Sequence, residues 1–156
     1  MSPRDSAGSM LAWLSHPVSL AGLAVLLLND HVLKQLWPGP VTGKLSDLAG
    51  LVMFPPLLAV VAALCLPRIP AKTLAVAALC LTGTGFTLVK LDSRLAALVS
   101  EGLSAVAGPS LLRADGTDLL ALPALGLAWL AFARAHRPAH DQLRQHFRGN
   151  CCLLTL

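Results

Sequence analysis

The stretch that decides the fold is Leu48–Pro67, LAGLVMFPPLLAVVAALCLP, which contains no charged residue. A helix of this length matches the ~30 Å hydrocarbon layer of a bilayer, which takes about 20 apolar residues to cross. Outward from it the pattern repeats. Met10–Leu28 holds only Ser15, His16 and Ser19 among apolar residues, and Thr73–Val89 and Leu119–Ala133 are also free of charge. Of the 156 residues, 55% are hydrophobic and 13% charged. Soluble domains carry about 25% charged residues, so a water-soluble core would leave too little polar surface to cover four such helices. The expected fold is all-α: a four-helix transmembrane bundle over residues 1–135, with spans at about 10–34, 47–66, 72–91 and 117–135.

The segments between and after the spans differ. In residues 94–107, Leu95, Leu98, Val99, Leu103 and Val106 recur at helical spacing, with Arg94, Ser100, Glu101 and Ser104 between them. That pattern predicts an amphipathic helix lying in the membrane interface. Residues 136–156 read as a basic, mobile cytoplasmic tail in which His136, His140 and His146 are solvated. Arg4 and the first apolar run resemble a signal peptide, but no small-residue cleavage site follows. The run is read as a retained helix that starts at Met10 or, with Ser15 as its cap, at Pro17. Pro55-Pro56 falls inside the second span and removes two amide donors there. Thr82-Gly83-Thr84-Gly85 and Thr87 form a small-residue strip suited to close helix packing. Trp129 is read either as an interface marker or as an internal packing residue. Cys65 and Cys80 are small hydrophobes within spans, and Cys151-Cys152 is not a prenylation box.

Cation placement orients the chain. With both termini on one side, that side holds Arg4, Arg68, Lys72, Arg134, Arg137, Arg144 and Arg148 against Asp5 and Asp141. The other holds Lys34, Lys44, Lys90, Arg94 and Arg113 against Asp30, Asp47, Asp92, Glu101, Asp115 and Asp118. The side richer in Lys and Arg is expected to be cytoplasmic. The sequence pI of about 9.2 then reflects this bias and needs no nucleic-acid partner.

Candidate functional residues gather on the non-cytoplasmic side: Asp30, His31 and Lys34 where the first span ends, Lys44 and Asp47 where the second begins, Lys90 where the third ends, and Asp118 where the fourth begins. Asp30 and Lys34 share a helix face in the favourable acid-before-base order. Asp47 and Asp118 are each placed at a helix N-terminus, where free amides favour a carboxylate. Ionisable groups inside a span are costly unless paired or hydrated, and they mark functional sites. A structural ion-pair network is the rival reading of the same residues. Ser46-Asp47-Leu48 and Thr117-Asp118-Leu119 echo each other weakly, as a parallel repeat would.

Familiar motifs fail on their chemistry. Gly39 to Leu45 is one residue short of a phosphate loop and puts Leu45 where magnesium needs a hydroxyl. No metal-ligand spacing involves His31, so neither metal nor cofactor is expected. No nucleophile elbow surrounds Ser46. The run Leu28-Asn29-Asp30-His31-Val32-Leu33-Lys34, then Pro38-Gly39, then Thr42-Gly43-Lys44-Leu45-Ser46-Asp47-Leu48-Ala49-Gly50-Leu51 and Pro55, resembles small uncharacterised bacterial multi-pass membrane proteins. These carry a TGKLSD-aromatic-AGL segment, with Leu48 here in the aromatic position. The likeness covers about residues 28–58. It implies membrane location, singles out Lys44 and Asp47, and transfers no mechanism.

Three functions remain open at this level. One is binding or transport of a small polar solute or ion at the polar cluster of a bacterial inner-membrane protein. Another is an enzyme acting on lipid or cell-envelope substrates, with Asp30, His31 or Asp47 as general base. The third is an accessory subunit whose Gly83/Thr87 strip and interfacial helix dock on a larger membrane partner, a homo-oligomer being the other expected assembly. Membrane lipids are expected contacts in every case.

Overall fold

The computed structural model describes residues 3–37, 39–107 and 116–136. The tail beyond His136, with His140, His146, Cys151 and Cys152, and the loop residues Arg113 and Asp115 lie outside the described residues. So do the side chains of Arg4, Asp5, Leu103, Ser104 and Val106. Among the described residues there are six helices and no strand. We number them α1 (Pro3–Leu14), α2 (Pro17–Leu36), α3 (Pro40–Cys65), α4 (Ala71–Leu91), α5 (Ser93–Ala107) and α6 (Gly116–Ala135). Four of them, α2, α3, α4 and α6, are long and apolar enough to cross a membrane.

The first span begins at Pro17, not near residue 10. Proline has no amide hydrogen and pushes the preceding residue out of the helical region. His16 accordingly sits at φ −62°, ψ 140°, and its Nδ1 accepts a hydrogen bond from the Val18 amide at 3.3 Å. Ser15 does not cap α2, as its place before Pro17 suggested. Its hydroxyl donates back to the Leu11 carbonyl at 2.9 Å. The twelve residues of α1 thus form a helix of their own.

The second span starts earlier than residue 47. Pro40 occupies the first helical position, where its missing amide costs nothing, and Gly39 precedes it in extended conformation. Thr42 closes this start: its Oγ1 accepts from the Gly39 amide at 3.2 Å and donates to the Gly39 carbonyl at 2.8 Å. Asp47 is therefore two turns inside α3 and not at a helix N-terminus, so its partner must come from another helix. The chain continues as helix through the buried Pro55 and Pro56 to Cys65. At the far end of α4 a single non-helical residue, Asp92, turns the chain into α5, and its carboxylate accepts from the Arg94 amide at 2.8 Å. α5 contacts α4, with Ala96 buried and Leu98 and Val99 exposed. α6 opens as a 3₁₀ turn, Gly116–Ala121, before its α-helical part, Ala124–Ala135.

α3 is the hub, packed on α1, α2, α4 and α6. Small residues let the helices approach: Ala59, Ala63, Ala71, Ala75, Ala78, Ala128 and Ala131 are all buried in one cluster. Without a hydrophobic difference between lipid and protein interior, such close contact is what holds spans together. Trp129 is half-buried and packs against that cluster with its ring 5.3 Å from Phe132. At Gly22 an added Cβ would lie 3.1 Å from Val52 Cγ1 and 3.4 Å from the Ala49 carbonyl oxygen. Gly22→Val is expected to force α2 off α3 and destabilise the fold by about 1–3 kcal/mol, the usual cost of overpacking. Unfolding in detergent, compared with Gly126→Val at a position with open space, checks this.

Candidate functional site

The ends of α2 and α4 and the starts of α3 and α6 meet at one end of the bundle, and there the polar residues join. Lys90 Nζ donates to Asp47 Oδ2 and to Asp118 Oδ2, both at 2.7 Å. The three side chains come from three helices and are 7%, 13% and 11% exposed respectively. The Phe86 ring centroid lies 5.5 Å from the same ammonium, near enough for a cation–π attraction. Lys44 reaches this centre from the water side. Its Nζ lies 3.4 Å from Asp118 Oδ1 and donates to Thr117 Oγ1 at 2.8 Å, with 44% of its side chain exposed.

A second group sits beside it on α2 and α3. Lys34 pairs with Asp30 at 2.7 Å, with both side chains about 40% exposed. Ser46 donates to Asp30 Oδ1 at 2.7 Å and accepts from Asn29 Nδ2 at 2.6 Å. Asn29 Nδ2 also donates to the Thr42 carbonyl at 2.7 Å. Asn29 is fully buried, and its Oδ1 has no hydrogen-bond partner among the described residues. The helix is locally π-helical here, Asn29–Leu33. Such turns carry an extra residue and are frequent at functional sites. This one coincides with the change from apolar span to polar rim.

Six of the seven residues singled out in the sequence thus pair at one end of the bundle, as two separate groups: Asp47, Lys90, Asp118 and Lys44 in one, Asp30 and Lys34 in the other. His31 is the exception. It is exposed, and its Nδ1 lies 3.0 Å from the Leu27 carbonyl oxygen of its own helix. Asn29, Thr42, Ser46 and Thr117 were not singled out. Asn29 alone left a signal, as an amide side chain within the 20 residues counted from Pro17. Thr42 and Thr117 are ordinary helix-start residues and Ser46 lies inside α3, and their partners lie in other helices or loops.

The small-residue strip of α4 is partly used within the chain. A Cβ on Gly83 would meet Leu125 Cδ1 of α6 at 2.9 Å. Thr84 and Thr87 donate to the Cys80 and Gly83 carbonyls of their own helix. Among the described residues no group of three or more His, Cys, Asp or Glu side chains is placed to hold a metal ion.

In comparisons with protein-family models, curated proteins and solved structures, nothing matches the chain. What the fold defines is the class: a multi-pass α-helical membrane protein with four candidate spans.

Proposed function

We propose that this is a bacterial inner-membrane protein with both termini in the cytoplasm, and that its extracytoplasmic polar cluster binds a small polar solute or ion as a receptor or a step in transport. The observation that carries this reading is Lys90, buried within a span between Asp47 and Asp118, with the half-exposed Lys44 at 3.4 Å from Asp118 and the half-exposed Asp30–Lys34 pair at the same end of the bundle. Taking ions out of water into a membrane interior is costly. A purely structural purpose would be served as well by apolar packing. An accessible rim beside a buried charge centre supports a binding role. The lipid-enzyme reading has less support, because, of its candidate bases, Asp30 and Asp47 are each paired with a lysine and His31 is exposed beside the Leu27 carbonyl of its own helix.

The test is ligand-induced stabilisation of the purified protein in detergent or nanodiscs. A ligand that binds only the folded state raises its unfolding temperature with concentration. Among small ions, amino acids and other polar solutes, at least one is expected to do so for the natural chain and not for Lys44→Ala or Asp47→Asn. Lys44→Ala removes a half-exposed pair and is expected to cost at most about 1 kcal/mol of stability. Asp47→Asn leaves Lys90 and Asp118 matched one to one. His31→Ala is expected to bind as the natural chain does. Loss of the fold in both cluster variants, with no ligand effect on the natural chain, would identify the cluster as structural. Labelling of cysteines introduced at positions 44 and 70 tests the orientation, with position 44 expected to react from outside the cell.

A further inference from the structure

We propose that α1 enters the membrane as a half-span, that the break at Ser15-His16 lies at mid-depth, and that a second copy of this chain covers it there. The inference uses nothing from the polar cluster and is tested apart from it.

Depth follows from register. α2 runs antiparallel to α3, with Gly22 against Ala49 and Val52 and Asn29 against Thr42 and Ser46. Both helices advance about 1.5 Å per residue, so this register sets Pro17 level with Pro55-Pro56. α6 gives the same level independently. Its Ala121 and Ala124 pack with Leu51 and Val52, which sets Ala128, the acceptor of the Trp13 indole at 2.9 Å, close to the level of Leu57. That is the middle of the uncharged run Leu48–Pro67. Toward its other end α1 is held to the α3–α4 turn, where Ser6 Oγ donates to the Ile69 carbonyl at 3.0 Å. From Ser6 to Trp13 the helix climbs about 10 Å. α1 therefore fills the half of the bundle opposite the polar centre, and α2 continues from mid-depth to the polar end. Together they make one discontinuous passage, broken in the middle.

Non-helical backbone at such depth is tolerated only where protein buries it or where it lines a water-filled cavity. In the single chain this break is bare: Ser15 and Pro17 are exposed and His16 is half-buried. Its hydrogen-bonding groups are unmet. His16 Nδ1 accepts from the Val18 amide, which leaves the ring hydrogen on Nε2, and Nε2 has no partner among the described residues. The Leu14 and Ser15 carbonyls receive no backbone amide from a described residue. On either side of the break the outer face is rich in small residues. Gly8 and Ala12 of α1 and Ala21 and Ala24 of α2 are exposed, with Leu11 and Leu20 between them. Small residues let a neighbouring helix approach closely in lipid. On α4, by contrast, the Lys90–Asp47 pair sets Leu81 at the depth of the break, and its side chain points outward, 61% exposed. The break itself selects the neighbour. It carries a donor, His16 Nε2, beside acceptors, the Leu14 and Ser15 carbonyls. Two copies related by a two-fold axis there can each donate to the other, the self-complementarity that an isologous interface requires.

The experiment is disulfide trapping of the full chain in lipid vesicles, with Cys65, Cys80, Cys151 and Cys152 replaced by alanine. A single introduced cysteine then forms a disulfide only between two copies. On oxidation with copper phenanthroline, Ser15→Cys is expected to give a covalent dimer and Leu81→Cys to stay monomeric. Ser15→Cys is also expected to resist a water-soluble maleimide added from either side. In detergent, His16→Leu is expected to weaken self-association about tenfold, the effect of two lost interhelical hydrogen bonds. Ala12→Phe, which changes only the outer face of α1, is expected to weaken it at least as much; subunit counting over a dilution series reads both. Ready maleimide labelling of Ser15→Cys shows the break in water and overturns the proposal. A disulfide yield at position 15 no higher than at position 81 overturns the second copy as its cover, and so does self-association unchanged in both His16→Leu and Ala12→Phe.

Discussion

Lys90→Met is expected to destabilise the protein by about 3–5 kcal/mol, the cost of removing one partner from a buried ion network. Methionine fills similar space and suits an apolar helix, so the loss is electrostatic. Asp47 and Asp118 both lie within hydrogen-bond distance of one ammonium. Without it, two carboxylates from α3 and α6 face each other at the end of α4, each short of a donor. The cure follows from the same argument. In the Lys90→Met background, the further changes Asp47→Asn and Asp118→Asn remove both charges and are expected to recover most of the loss. Chemical or thermal unfolding in detergent reads all three proteins. Lys90→Met unfolding like the natural chain would show that the network does not hold the helix ends together.

The second large effect is expected at the opposite end of the bundle. Trp13 on α1 is fully buried, its indole Nε1 donates to the Ala128 carbonyl at 2.9 Å, and its ring meets Phe132 edge-on at 5.2 Å. The Trp13 carbonyl in turn accepts from Ser19 Oγ at 2.8 Å, which ties the α1–α2 corner. Trp13→Ala leaves a cavity among α1, α3, α4 and α6 and is expected to cost about 3–5 kcal/mol. Trp13→Phe keeps most of the volume and loses the hydrogen bond, for about 1 kcal/mol. Equal stability of the alanine and natural proteins would show that α1 is not docked. The two predictions are independent, because the polar centre and this apolar cluster share no residue. The double variant is expected to lose the sum.

Much of the architecture was legible because membrane spans announce themselves locally. Four uncharged runs needed no tertiary information to be read as helices, and the amphipathic spacing of residues 94–107 corresponds to α5. Helix starts were less legible. Pro40 serves as a first-turn residue in the structure, where no amide is needed. The same property at Pro17 divides α1 from α2. Both cases turn on which carbonyls would otherwise lack a donor, and residue type alone does not tell.

The candidate site was legible as a list and not as a network. Asp30 and Lys34 form the helix-spaced pair expected of them. The three-helix junction at Lys90 depends on α4 ending level with the starts of α3 and α6, and nothing in the third span's sequence sets that depth. Asn29 and Ser46 were not singled out as site residues because their chemistry appears only when α2 meets α3. His31, beside Asp30 in the chain, is turned to the outside by helical geometry.

By itself the sequence determined that this chain forms apolar helices of bilayer length with its acids and bases confined to their ends, since the energy of moving a charge into hydrocarbon leaves a record in composition. Only the tertiary structure decided which acid meets which base, because ion pairs between helices depend on register and crossing, and those are set by where glycine, alanine and proline let backbones approach.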